Sequence, residues 1–151
     1  MSHNIPTVSN FDLAKYLGIW YEIARLPMKH QPEDSTDISA AYSLNEDGTV
    51  RVQNRCLDAD GKLDESIGEA TIVDAANGKL EVSFLPEGLR WVPFTKGDYW
   101  VLKLDAGYQT ALVGEPNMNI YGYCTALQPL MKRPNENIWL MHNHWVMTCR
   151  I

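Results

Sequence analysis

Residues 38–57 read ISAAYSL (38–44), NEDG (45–48), TVRVQNRCL (49–57), and this stretch decides the fold class. Period-two alternation puts Ala40, Tyr42 and Leu44 on one face of the first arm and Val50, Val52 and Asn54 on one face of the second. Between the arms stands Asp47-Gly48, and an Asp-Gly pair flanked by alternating hydrophobes is the strongest local hairpin signal. The same grammar recurs downstream. Asp60-Gly61 leads into SIGEATIV (66–73), and Asn77-Gly78 leads into KLEVSFL (79–85). There Leu80, Val82 and Phe84 alternate with Lys79, Glu81 and Ser83. After a longer connection, PEGLRWVPFTKG (86–97), come DYWVLKLD (98–105) and, past Gly107, YQTALVG (108–114). Upstream, FDLAKY (11–16) reads as one helical turn with Asn10 or Asp12 available to cap it. Gly18 then releases the chain into IWYEIARL (19–26), and residues 28–37 read as loop.

Seven strands at regular spacing, without a long helical period, specify an antiparallel meander, either a sandwich or an up-and-down barrel. Short turns make neighbours in sequence neighbours in space, without the crossovers of a Greek key. Closing a meander of about eight strands removes both exposed edges and leaves an interior just wide enough for one small ligand. The barrel is therefore the expected architecture, and an apolar lining makes it a container.

The remaining arithmetic narrows the class. A chain of 151 residues is the size of one domain, expected here over 1–151 with residues 1–10 as an extension. With 45% hydrophobic and 21% charged residues it is an ordinary globular composition. A net charge of −6 argues against nucleic acid and against adhesion to anionic headgroups by charge alone. No apolar run approaches the ~18 residues of a transmembrane helix, and MSHNIPTVSN lacks the basic-then-apolar pattern of a signal peptide. Cys56, Cys124 and Cys149 are too scattered for a disulfide-stapled mini-domain and contain no C-x-x-C pair.

The residues Gly18-Ile19-Trp20-Tyr21-Glu22-Ile23-Ala24-Arg25 resemble the G-x-W-Y-E-I-A-R signature of the lipocalins, particularly the bacterial group that also resembles apolipoprotein D. The likeness continues through AAYSLNEDGTVRVQNRC (40–56), Gly68-Glu69-Ala70 and LEVSFLPEGLRWVPFTKGDYWVLKLDAGYQTALVGEP (80–116), and covers about residues 10–117. It implies an eight-stranded barrel with an N-terminal 3₁₀ lid at its closed end. It further implies binding of a fatty acid, lysophospholipid or similar amphiphile without chemistry on it. Members of the group in Gram-negative bacteria are commonly outer-membrane lipoproteins, so the resemblance suggests the periplasmic face of that membrane if a leader was removed. In the family the tryptophan matching Trp20 closes the floor, and Gly18 lets the chain turn tightly beside it. Trp20 is accordingly read as core with no direct ligand contact, and Glu22 and Arg25 as solvent-facing or barrel-end partners.

Ligand contacts are expected from inward residues nearer the open end. Tyr42, Val52, Asn54, Val82, Phe84, Tyr99 and Val101 fit the alternation, and Tyr108 offers a hydroxyl as a polar fixture. Asn54 is the residue whose amide would meet a headgroup or a trapped water. In the connection Leu89–Phe94, the large apolar groups Leu89, Trp91, Val92 and Phe94 are expected to fold over the mouth, meet a second copy or rest on a membrane surface, or else to pack on their own barrel, and Trp91 is a further candidate contact.

Enzymatic readings find little support. There is no G-x-S-x-G, no H-E-x-x-H and no phosphate-cradling glycine loop. Cys124 lacks a recognisable base nearby in sequence. His142-Asn143-His144 with Cys149 is a weak metal pattern, and neither metal nor cofactor is expected. The alternatives to a carrier are a lipid hydrolase or isomerase on the same barrel, and a partner-binding barrel filled by its own side chains.

Residues 118–151 depart from the family pattern. A final strand resembling Y-L-W-I-L-S-R is expected, with an arginine on the first-strand tryptophan; here Arg133 is a distant substitute. One reading is a change of reading frame, because shifting the codons for Tyr121–Thr125 by one base can encode Met-Val-Ile-Ala-Arg. As it stands, IYGYCTAL (120–127) alternates Tyr121, Tyr123, Thr125 and Leu127 with small residues and suits an eighth strand. Ile138, Met141, Trp145 and Cys149 fall at near-helical spacing. A Cys56–Cys149 bridge would resemble the strand-to-tail disulfide of some lipocalins.

Overall fold

In the computed structural model the residues described are 5–24, 34–89, 95–116 and 123–127, the last five by their backbone. They form a closed barrel of eight antiparallel strands taken in sequence order. These are β1 (Gly18–Ala24), β2 (Thr36–Leu44), β3 (Val50–Leu57), β4 (Leu63–Asp74), β5 (Lys79–Ser83), β6 (Gly97–Leu104), β7 (Thr110–Gly114) and β8 (Tyr123–Leu127). Each strand pairs with its predecessor, and β8 pairs with β7 and then with β1, through Trp20↔Leu127 and Glu22↔Thr125. The eighth strand thus closes the barrel with Tyr123–Leu127 as the sequence has them. The tail carrying Arg133, the His142/His144 pair, the helical spacing of Ile138 to Cys149 and the Cys56–Cys149 bridge lies outside the described residues, as do Arg25, Trp91, Val92 and Phe94.

One end is closed by the N-terminal segment. Its helix α1 (Leu13–Tyr16) is a single α-helical turn rather than the expected 3₁₀ lid. The Asp12 carboxylate caps it, accepting from the Ala14 N–H at 3.1 Å. Ahead of it, the Val8 N–H donates to the Val101 carbonyl and the Phe11 N–H to that of Ala76, both at 3.0 Å. Gly78 makes the first of these contacts possible. It sits at φ +62°, and a Cβ there would meet Val8 Cγ2 at 2.9 Å. Gly18, at φ +118°, turns the chain sharply from α1 into β1.

Two apolar clusters fill the closed half. Tyr16, Trp20, Val101, Ala111 and Val113 form one, and Val50, Val52, Ala70 and Leu80 the other. Two details depart from the alternation read in the sequence. Leu44 shares parity with Ala40 and Tyr42 but is 57% exposed, at the last position of β2 before the turn. Strand β4 starts earlier than Ser66, because pairing with β3 persists to Leu57↔Leu63.

Candidate binding cavity

The barrel is not filled by its side chains. It encloses a cavity of about 420 Å³, within the ordinary range for small-molecule sites. Trp20 stands on its floor at 1% exposure, and its indole N–H donates to the Tyr16 carbonyl at 2.7 Å. The tryptophan read as core is therefore also part of the cavity boundary. Beside it three phenols form a chain: the Tyr99 hydroxyl lies 2.8 Å from that of Tyr16 and 3.0 Å from that of Tyr42. Burial, and next the neighbouring Tyr42, hold the Tyr16 phenol well above the usual tyrosine range, so it stays protonated. Val50, Val52, Ala70, Leu80 and Val82 line the middle. Each reaches the cavity because strand alternation places it on the inner face, as the pairs Val50↔Ala70 and Ala70↔Val82 require.

Polarity enters toward the strand ends remote from α1. Asn54 and Ser66, opposed across β3 and β4, both border the cavity. So do Cys56 and Asp64, the next inward pair, together with Glu22 on β1 and Glu115 just beyond β7. Glu22 thus faces the cavity, not solvent, and one oxygen of its carboxylate is shut off from water. Burial, and then the charge of Asp98, raise the Glu115 carboxyl above its ordinary value. Asp98, set opposite Glu81 on the outer side, is raised by burial and then by Glu81. Phe84 completes the rim. It is 43% exposed and rests on Gly68, where a Cβ would lie 2.7 Å from its ring.

Of the residues singled out in the sequence, Tyr42, Val52, Asn54, Val82, Phe84 and Tyr99 meet on this wall. The structure places Val101 and Tyr108 elsewhere. Val101 is wholly buried beneath the floor against Trp20 and Val113, because β6 continues below the cavity. Tyr108 stands outside the closed end, its hydroxyl accepting from the Asp12 N–H at 2.9 Å. Among the contributors that escaped the sequence reading are Tyr16, Glu22, Asp64, Ser66 and Glu115. The two glutamates were legible in principle, since Glu22 shares the parity of Trp20 and Glu115 that of Val113. Tyr16 was not, because it comes from a helical turn to which a period of two does not apply.

The family model for a lipocalin-like domain matches residues 11–143. The chain is 42% identical to temperature-induced lipocalin-1 of Arabidopsis thaliana over 116 residues, which is 75% of this chain and 61% of that protein. It is 42% identical to apolipoprotein D of Cavia porcellus over 103 residues, 66% of this chain and 53% of the other. It is 38% identical to the outer membrane lipoprotein Blc of Citrobacter freundii over 116 residues, 75% of this chain and 60% of that one. The chain therefore spans between half and two thirds of the length of these relatives. Among solved structures, insecticyanin of the tobacco hornworm Manduca sexta shares the fold. Its TM-score is 0.64 at 20% identity, with coverage of 83% of this chain and 68% of that one.

Proposed function

The chain belongs to the lipocalin-like family, whose members bind small hydrophobic ligands, and from that premise we propose that its barrel takes up one single-chain amphiphile of the fatty acid or lysophospholipid kind for transport or storage. The observation that carries this reading is the cavity itself, with an apolar floor and middle and its polar groups gathered toward the open end. An aliphatic chain fits the lower part, where burial is worth about 0.8 kcal/mol per methylene before the cost of association. Asn54 and Ser66 stand where a head would emerge, and Tyr42, Val52, Val82, Phe84 and Tyr99 supply the surrounding wall. The connection between β5 and β6 starts beside Phe84 at this end, and the apolar residues of its sequence, Leu89, Trp91, Val92 and Phe94, suit contact with a membrane surface or a second copy. Native mass spectrometry after gentle purification tests the proposal: a co-purified lipid at one per chain is expected, and a chain that stays empty after incubation with single-chain amphiphiles refutes it.

Turnover on the same barrel would need a nucleophile served by a base. Among the described residues the wall offers Ser39, Ser66 and Cys56 but no histidine. Incubation with labelled fatty acyl esters is expected to give binding without hydrolysis. Release of labelled acid at a rate above that of a heat-denatured sample contradicts this.

A further inference from the structure

We infer that the cavity favours amphiphiles that carry a hydroxyl group at the buried end of the chain as well as a head at the mouth, the inner hydroxyl being received by the phenols of the floor. This rests on the container reading above and adds the chemistry of the end that enters first. In a closed barrel of eight strands taken in order, β2 and β6 stand on opposite walls. Tyr42 from one and Tyr99 from the other reach across the lumen until their hydroxyls are 3.0 Å apart, with ring centroids 5.9 Å apart. Both rings pack against both apolar clusters, so they form a bar across the foot of the cavity. Tyr16 joins the bar from α1. Its hydroxyl lies 2.8 Å from that of Tyr99, and its ring centroid 4.6 Å from that of Trp20.

A phenol hydroxyl donates one hydrogen bond and accepts as many as two. Among the described residues the Tyr16 hydroxyl has one partner, Tyr99, although the residue is only 2% exposed and borders the cavity. It therefore keeps capacity for a group arriving from the cavity. Burial holds its phenol above the usual tyrosine range, so it stays protonated and can serve as donor or acceptor. Val52, Ala70 and Val82 make the middle of the wall aliphatic, with Asn54 and Ser66 nearer the mouth. A ligand hydroxyl stopped along that middle is buried without a partner, which costs affinity. One carried down to the phenols recovers what it lost on leaving water. Position along the chain, not polarity as such, decides.

The test measures displacement of the uncharged fluorophore 1-N-phenylnaphthylamine at pH 7.5, with every competitor below its micelle threshold. The competitors are 10-hydroxydecanoate, 12-hydroxydodecanoate and 16-hydroxyhexadecanoate, each beside its unsubstituted parent acid, and 6-hydroxydodecanoate as the mid-chain isomer. At the length that reaches the bar, the terminal hydroxy acid is expected to bind at least as tightly as its parent. The mid-chain isomer is expected to bind about tenfold more weakly than dodecanoate. Tyr16→Phe is expected to keep its affinity for the parent acids and to lose about three- to tenfold for that terminal hydroxy acid, the worth of one hydrogen bond. Where the variant no longer takes up the fluorophore, the comparison of isomers on the native chain decides. Weaker binding of the terminal hydroxy acid than of its parent at all three lengths overturns the inference and leaves the container reading standing. So does a mid-chain isomer that binds as tightly as the terminal one, or an unchanged ratio to the parent acid in a Tyr16→Phe chain that still binds. Failure of the fluorophore and of every parent acid to bind takes down both.

Discussion

Gly68 sets how Phe84 lies against the barrel wall. A methyl group at that position would come within 2.7 Å of Phe84 Cδ1 and within 2.7 Å of the Ser83 carbonyl oxygen. The ring can swing away toward solvent, but the backbone oxygen belongs to the β4–β5 ladder and cannot. Gly68→Ala is therefore expected to lose about 1–3 kcal/mol by overpacking. Combining it with Phe84→Ala should recover only a part of that loss, which denaturant unfolding of both variants measures. Tyr99→Phe acts differently. It deletes the hydroxyl that Tyr16 and Tyr42 share, taking from the buried Tyr16 its partner at 2.8 Å. A loss of about 1–3 kcal/mol is expected, with an unchanged denaturant slope. At this scale the sequence was readable wherever a strand's parity applied and the side chain was apolar or aromatic, as for Tyr42, Val82, Phe84 and Tyr99. It misled at Glu22, where the charge was given more weight than the parity it shares with Trp20. It was silent at Tyr16 and put Tyr108 among the ligand contacts, whereas both places follow from how the N-terminal turn docks across the closed end.

Turns carry the sequence's clearest structural information, and the turn between β6 and β7 shows why. The Asp105 carboxylate accepts backbone N–H groups from Gly107 at 2.9 Å, from Gln109 at 2.6 Å and from Thr110. Tyr108, at φ +55°, is thereby held in a left-handed conformation that a tyrosine does not favour. Burial pushes the Asp105 carboxyl up, but the three N–H donors outweigh it and the net shift is downward. A carboxyl with a lowered folded-state value stabilises above its unfolded value and loses that contribution as pH falls through the folded one. Asp105→Asn should thus be less stable than the native chain at pH 7, by a few tenths to about 1 kcal/mol for so exposed a group. The gap should close near pH 2, which unfolding at both pH values checks. The hairpins β2–β3, β3–β4, β4–β5 and β6–β7 were legible because Asp, Asn and Gly mark each of these reversals locally. The length of β4 was not, since it depends on where β3 stops pairing.

Across the whole barrel, carboxyls are shifted in opposite directions according to whether hydrogen bonds or burial dominates. Asp47, Glu65 and Asp74, on turns and on the outer face, are lowered by hydrogen bonds, led by those from Thr49, Arg55 and Asn77 respectively. Glu115 and Asp98 are raised, by burial first. A raised carboxyl binds more protons in the folded than in the unfolded chain. Its contribution therefore grows as pH falls through its folded value and fades as pH rises above it. The groups around Glu115 sharpen this. Asp98 and Tyr99 stand on the adjacent strand β6, and Glu22 stands on the inner face of β1. Glu115→Gln is neutral at every pH, so it removes the cost of holding a charge at that position. The variant is therefore expected to melt at a higher temperature than the native chain at pH 8, where the native carboxyl is ionised, and at nearly the same temperature at pH 4. Thermal unfolding of both chains at the two pH values reads the difference directly. A variant that melts no higher than the native chain at pH 8 would mean that the carboxylate gains as much from its surroundings as burial costs it.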